Sequence, residues 1–244
     1  GMWLLLVSAA LIFRPILPVD ETRYLSVAWE MWLSKDYLVP HLNGSAYSHK
    51  PPLLFWLMNV GWNIIGVNEW WPRLVAPTCG LGCIYLTASL GKKLWQNSNA
   101  YLIAPFLLLG TFFWSVYTTL TMFDLLVCLW TLFGIHGLLD ALNGRLVRGW
   151  LIFAIAVGMG ILSKGPVILV YLLPMALFAI YWFTGDVDWI RWYTGTIIAT
   201  LCGVGLALSW ALPAGLSGGQ DYQNAIFWGQ SAGRVLSSFS HAKP

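Results

Sequence analysis

The 244-residue chain is 58% hydrophobic and 9% charged, with a mean hydropathy of +0.69, whereas soluble globular domains carry about 25% charged residues. This excludes a soluble fold and predicts an all-α polytopic membrane protein, with sixteen Trp and ten Tyr to populate the headgroup region. The formal charge of +3 is scattered without a basic run, so nucleic acid is not an expected partner.

In chain order, Trp3 to Val19 reads as a first span, with Arg14 close enough to its end to snorkel and Pro15 and Pro18 breaking the helix. Residues 22–33 (TRYLSVAWEMWL) place Leu25, Ala28, Trp29 and Trp32 at spacings of three and four, which predicts an amphipathic helix lying in the interface. NGSAY at 43–47 signals a turn, and Pro51-Pro52 opens a new segment. The apolar stretch from Leu53 to Val67 is shorter than the roughly 20 residues a bilayer core requires.

Further apolar runs fall near 72–91, 98–115, 118–141, 149–163, 165–183 and 192–213. If 53–67 stays interfacial, the connectors bearing Lys92 and Lys93, Arg145 and Arg148, and Arg191 fall on one side, as the positive-inside rule requires. That gives an expected seven spans. It also places the 20–71 loop, the Thr118 to Asp124 turn, the Ser163-Lys164-Gly165 turn and the 214–244 tail together on the non-cytoplasmic face. Asp20, Glu21, His49, Lys50, Asp124, Lys164 and His241 are then expected to converge there.

Each candidate has a plainer alternative. Asp20 and Glu21 form a carboxylate pair with Arg23 as a neighbouring cation, or Asp20 caps the following helix. Asp124 interrupts an apolar run, where an unpaired carboxylate is costly, so it is either functional or interfacial. Lys164, between two apolar runs, is an interfacial anchor or a phosphate contact. Lys50, on a backbone stiffened by Pro51-Pro52, suits a phosphate. His49 and His241 form a metal pair or are ordinary surface histidines. His136 and the four cysteines, all in apolar stretches, are expected to pack. With no P-loop or nucleotide-binding glycine pattern, a nucleotide cofactor is not expected.

Taken together, DETRYLSVAWEMWLSKDYLVPHLNGSAYSHKPPLLFWL (20–57), GMGILSKGP (158–166) and FWGQSAGRVLSSFSHAKP (227–244) resemble GT-C glycosyltransferases that use polyprenyl-phosphate sugars. The resemblance is nearest to the lipid A aminoarabinose transferases (ArnT type) and the related protein O-mannosyltransferase superfamily. It implies a GT-C fold and the N-terminal portion of a longer bacterial inner-membrane enzyme. It also implies transfer from a polyprenyl-phosphate sugar to a lipid, glycan or protein acceptor at the periplasmic face, with inversion.

By this resemblance Asp20 and Asp124 are catalytic. Arg23, Tyr24, Tyr47, Lys50 and Lys164, with Glu21, contact the donor phosphate or substrate. His49 stands where the aminoarabinose transferases have a zinc-binding glutamate, and His241 matches their distant histidine, so zinc is an expected metal. The alternative from another class is a lipid flippase or lipid-binding membrane protein without catalytic activity.

Overall fold

The computed structural model describes residues 1–96 and 98–229. Its helices are α1 (Met2–Phe13), α2 (Asp20–Ser34), α3 (Leu53–Ile65), α4 (Trp70–Leu94), α5 (Ala100–Gly110), α6 (Phe112–Thr118), α7 (Asp124–Leu142), α8 (Leu146–Lys164), α9 (Val167–Leu177), α10 (Ala179–Trp182), α11 (Trp189–Ser217) and α12 (Gln220–Asn224), followed by a π-helical turn at Ala225–Gly229. A two-stranded hairpin, β1 (His41–Leu42) and β2 (Ser45–Ala46), interrupts them. Its loop is Asn43-Gly44, both at positive φ, as a tight hairpin turn demands. Glu30 fixes the hairpin to α2 by accepting the amides of Asn43 and Gly44.

Among the described residues, α4, α7, α8 and α11 are long and apolar enough to cross a membrane, and α5 with α6, bent by 76°, makes a fifth span if the pair counts as one. The other two expected spans coincide with shorter apolar helices, α1 and α9. α1 stops at Phe13, before Pro15, and does not run on to Val19. α3 matches the short apolar stretch expected at 53–67.

Arg14 does not snorkel outward. Its guanidinium turns inward to Glu21 and the Thr119 carbonyl. Inward-facing donors serve the end of α1 as well, because Arg73 donates to the carbonyls of Ala10, Leu11 and Arg14, groups that the end of a helix leaves unsatisfied.

The antiparallel pair α7 and α8 forms the most extensive helix contact. Glycine makes it close: a Cβ on Gly149 would sit 2.5 Å from the Ala141 nitrogen, the small-residue approach typical of membrane helices. At one end of this pair Lys93, Arg145 and Arg148 surround Asp140. Arg191 lines a small cavity with Ala141 and Gly144 at the same end, so the basic connectors gather as the charge pattern predicts. At the other end, α2 and α3 pack Tyr24, Met31, Leu54, Phe55 and Met58 against Phe123, Leu126 and Leu162. Buried Asn59 ties α3 to α2 by donating to the Ala28 carbonyl at 3.1 Å.

Candidate active site

Asp124 opens α7 and Lys164 closes α8. Antiparallel packing of two 19-residue helices brings these ends together, and Lys164 Nζ donates to Asp124 Oδ1 at 2.7 Å. Each charge also suits its own helix, an anion at an N-terminus and a cation at a C-terminus. Gly165, at φ 77°, ends α8, and Pro166 leads into α9. This reversal holds Lys164 on the wall of a cavity.

That cavity measures about 310 Å³ and contains both Lys50 and Lys164. Its walls are largely apolar, with Ile161, Leu169, Val204, Leu208 and Trp210 among them, and Ile226 and Phe227 from the end of the described chain close one side. Trp210 is fixed by donating its indole N–H to the Leu38 carbonyl at 2.9 Å, which ties α11 to the loop after α2. A second groove of about 270 Å³ runs from Asp124 along Val127, Cys128, Thr131 and Leu132, and Lys164 is common to both spaces.

The N-terminal candidates reach this centre through aromatic contacts. Lys50 Nζ lies 5.7 Å from the centre of the Phe123 ring, and Tyr24 meets the same ring edge-on at 4.9 Å. Tyr47 is buried, packs on Phe55 and lies against His49, with ring centres 5.4 Å apart. Asp20 accepts from Arg23 and, at 3.5 Å, from the Tyr24 hydroxyl. Burial and the Asp20 charge push the Tyr24 phenol up to about 12, so it keeps its proton and donates. The Arg23 guanidinium is desolvated, but the tyrosines and Asp20 around it hold its pKa above the ordinary value. Asp20 is 44% exposed on its side chain, and it is not among the residues lining the cavity.

Two expectations change. Asp20 does not cap α2. It occupies the first turn, the cap position is Val19, and the Asp20 carboxylate is turned to Arg23. Glu21, expected among the substrate contacts, is 2% exposed, and its carboxylate receives Arg14 and the amides of Leu17 and Thr121. Burial works against its charge, but these hydrogen bonds override burial and hold the Glu21 pKa below its ordinary value. The carboxylate pair is therefore split between two arginines.

The expected zinc pair is His49 and His241, and His241 lies outside the described residues. Among the described residues no group of three His, Cys, Asp or Glu comes together to hold a metal. A zinc site takes three or four such ligands, one of the two expected here lies outside the described residues, and no step is assigned to a metal. His136 packs as expected, with Nε2 3.0 Å from the Leu86 carbonyl oxygen.

Sequence reasoning passed over Phe123 and Trp210, and it read Arg14 as an interfacial residue rather than as a partner of Glu21. Phe123 was signalled only by adjacency to Asp124, Trp210 by nothing local, and Arg14 by being a charge beside an apolar run.

The family described as dolichyl-phosphate-mannose-protein mannosyltransferase matches residues 49–214. An undecaprenyl phosphate-alpha-4-amino-4-deoxy-L-arabinose arabinosyl transferase from Pseudomonas fluorescens is 28% identical over 233 residues, covering 92% of this chain and 39% of the relative. Its counterpart from Sodalis glossinidius is 31% identical over 198 residues, 73% of this chain and 35% of the relative. The chain thus spans about two fifths of the length of the curated relatives it matches. The crystal structure of ArnT from Cupriavidus metallidurans bound to undecaprenyl phosphate superposes with a TM-score of 0.80 at 22% identity, covering 95% of this chain and 43% of that one. That likeness identifies the fold, a helical GT-C architecture of the ArnT kind. With the family match extending from the segment before Lys50 almost to the end of α11, the chain belongs to the dolichyl-phosphate-mannose-protein mannosyltransferase family.

Proposed function

We propose that this protein is an inverting glycosyltransferase that takes a sugar from a polyprenyl-phosphate donor. The observation that carries this reading is the pair Lys50 and Lys164 on one largely apolar cavity of about 310 Å³. Two cations on an otherwise greasy wall suit a ligand with a phosphate head and a hydrocarbon tail. The named relatives are undecaprenyl-phosphate aminoarabinose transferases, and the named structure binds undecaprenyl phosphate. These names support the same donor class here.

In this reading the phosphate sits between Lys50 and Lys164, and the first isoprene units lie along Leu169, Val204 and Leu208. The anomeric carbon projects beyond the cavity wall towards Asp20 and Asp124, neither of which lines the cavity itself. An acceptor hydroxyl attacks from the side opposite the phosphate, forming the new C–O bond as the bond to the phosphate oxygen breaks. The electron pair leaves with the polyprenyl phosphate, where the two lysines stabilise it. Asp20, hydrogen-bonded by Arg23 and protonated Tyr24, takes the hydroxyl proton. If the acceptor atom is a phosphate oxygen, no base is needed and Asp20 positions the acceptor instead.

We assign the acceptor to a lipid of the lipid A kind or another membrane-presented glycan or protein. We assign the site to the periplasmic face of a bacterial inner membrane; the cations around Asp140, at the opposite end of the bundle, support this through the positive-inside rule.

The test is transfer from a panel of labelled polyprenyl-phosphate sugars by the full-length gene product in nanodiscs, beside its Asp20→Asn form. Turnover lost in the variant with its fold intact supports the reading. Donor binding without turnover in either protein replaces it with a lipid-binding or flippase role.

A further inference from the structure

We propose that Arg14 and Glu21 are positioning residues that hold the Asp20 helix and the turn before Asp124 at one fixed setting, which gives two candidate catalytic carboxylates a common frame. The catalytic part of this proposal rests on the glycosyltransferase reading above; the mechanical part does not.

The geometry is that of a clasp between two distant segments. Glu21 follows Asp20 on α2, and successive helical side chains diverge by about 100°, so one faces outward to Arg23 while the other turns into the protein. Glu21 Oε1 accepts the Thr121 amide at 2.6 Å and Arg14 Nη2 at 2.9 Å; Oε2 accepts the Leu17 amide at 2.8 Å and Arg14 Nη1. Thr121 is fully buried and stands three residues before Asp124. Arg14 spans the same gap, donating to the Thr119 carbonyl as well as to Glu21.

One carboxylate thus bonds both segments and fixes the rotation of α2 about its axis, which aims Asp20. Every partner of Glu21 is a donor. A carboxylate satisfies them all, whereas an amide of the same shape sets its own N–H groups against at least one. At 2% exposure Glu21 has no surface to offer a substrate, so its action passes through Asp20 and Asp124.

The experiment uses the full-length protein in nanodiscs, without native cysteines, with spin labels at Ser26 on α2 and Tyr117 on α6. Both sites are exposed and outside the clasp. The wild type is expected to give one narrow distance distribution and Glu21→Gln a broadened or shifted one. The same variant is expected to lose roughly 100-fold in kcat, the scale of a misplacement near 1 Å, while the donor KM changes by less than about threefold because both cavity lysines are untouched. Arg14→Lys keeps the charge but loses the fork, and should show a smaller version of both effects. If Glu21→Gln fails to fold, Arg14→Lys compared with wild type carries the same two readouts.

An unchanged distance distribution overturns the proposal, and so does a rise in donor KM that accounts for the whole loss, which would make Glu21 a substrate contact. A wild-type protein that transfers no sugar overturns the transferase reading together with the catalytic part of this one, while the distances still decide the clasp.

Discussion

Asp124 and Lys164 are forty residues apart in the chain and meet at 2.7 Å because α7 and α8 run antiparallel and end at the same level. Neither charge is deeply buried, with side chains 43% and 33% exposed. The pair is therefore a weak source of stability, since exposed ion pairs contribute about 0–1 kcal/mol. Its value lies in presenting an ammonium group to both grooves.

Lys164→Ala should accordingly separate stability from activity. The melting temperature in detergent is expected to shift little, corresponding to less than about 1 kcal/mol. kcat/KM for a polyprenyl-phosphate sugar is expected to fall about 100-fold with the lost charge-assisted contact. A large melting shift with intact kcat/KM would assign Lys164 to the membrane anchor role.

Lys50 lies over Phe123 on the wall of the same cavity. Lys50→Ala should weaken binding of polyprenyl phosphate by about 2 kcal/mol, roughly 30-fold in Kd, and Lys50→Arg should recover part of it. Calorimetric titration with polyprenyl phosphate checks this, with a neutral polyprenol as control. Equal weakening for both ligands would mean that the lysine shapes the cavity without touching phosphate.

The Glu21 clasp should set the acid limb of stability. Its carboxyl is held below the ordinary value of 4.5, so the folded state is favoured by ionised Glu21 at every pH above that value. This contribution fades as pH falls through the depressed folded value. Melting temperature against pH should drop below about pH 4.5 in the wild type. The drop should be shallower in Glu21→Gln, which starts less stable by about 3 kcal/mol because Arg14 is left without its carboxylate. Parallel acid limbs would show that other carboxylates govern this region.

Gly149→Val should be severely destabilising. Even the first carbon of a side chain would lie 2.5 Å from the Ala141 nitrogen and 2.6 Å from the Gly137 oxygen. Because both neighbours are helix backbone, they can yield only by moving α7 from α8, at an expected cost of about 3 kcal/mol or more. Thermal unfolding in detergent tests this, and a variant of near wild-type stability would mean that the two helices separate easily.

Much of the helix plan was legible because its signals are local. The helix after Pro18 was visible in the spacing of Leu25, Ala28, Trp29 and Trp32, and the Asn43-Gly44 turn in its dipeptide. The boundary of α1 was less so, because Trp3 to Val19 is apolar enough to read as one run while Pro15 stops the helix at Phe13. Arg14 misled for a related reason. A cation beside an apolar run ordinarily seeks the interface, and only the folded chain supplies Glu21 and the Thr119 carbonyl as inward partners.

Taken alone, the sequence determined that the chain is a helical membrane protein, where its charges interrupt apolar runs, and which connectors gather at one end. These follow from hydropathy and charge, which are sums over neighbours in the chain. Which charge meets which was decided by the tertiary structure. Lys164 with Asp124, Arg14 with Glu21, and Lys50 over Phe123 are contacts between remote segments, set by helix direction, glycine-permitted closeness and the turn at Gly165. A carboxylate's role depends on the donors that reach it, and for Asp20 and Glu21, adjacent in the chain, the fold sent one outward and the other inward.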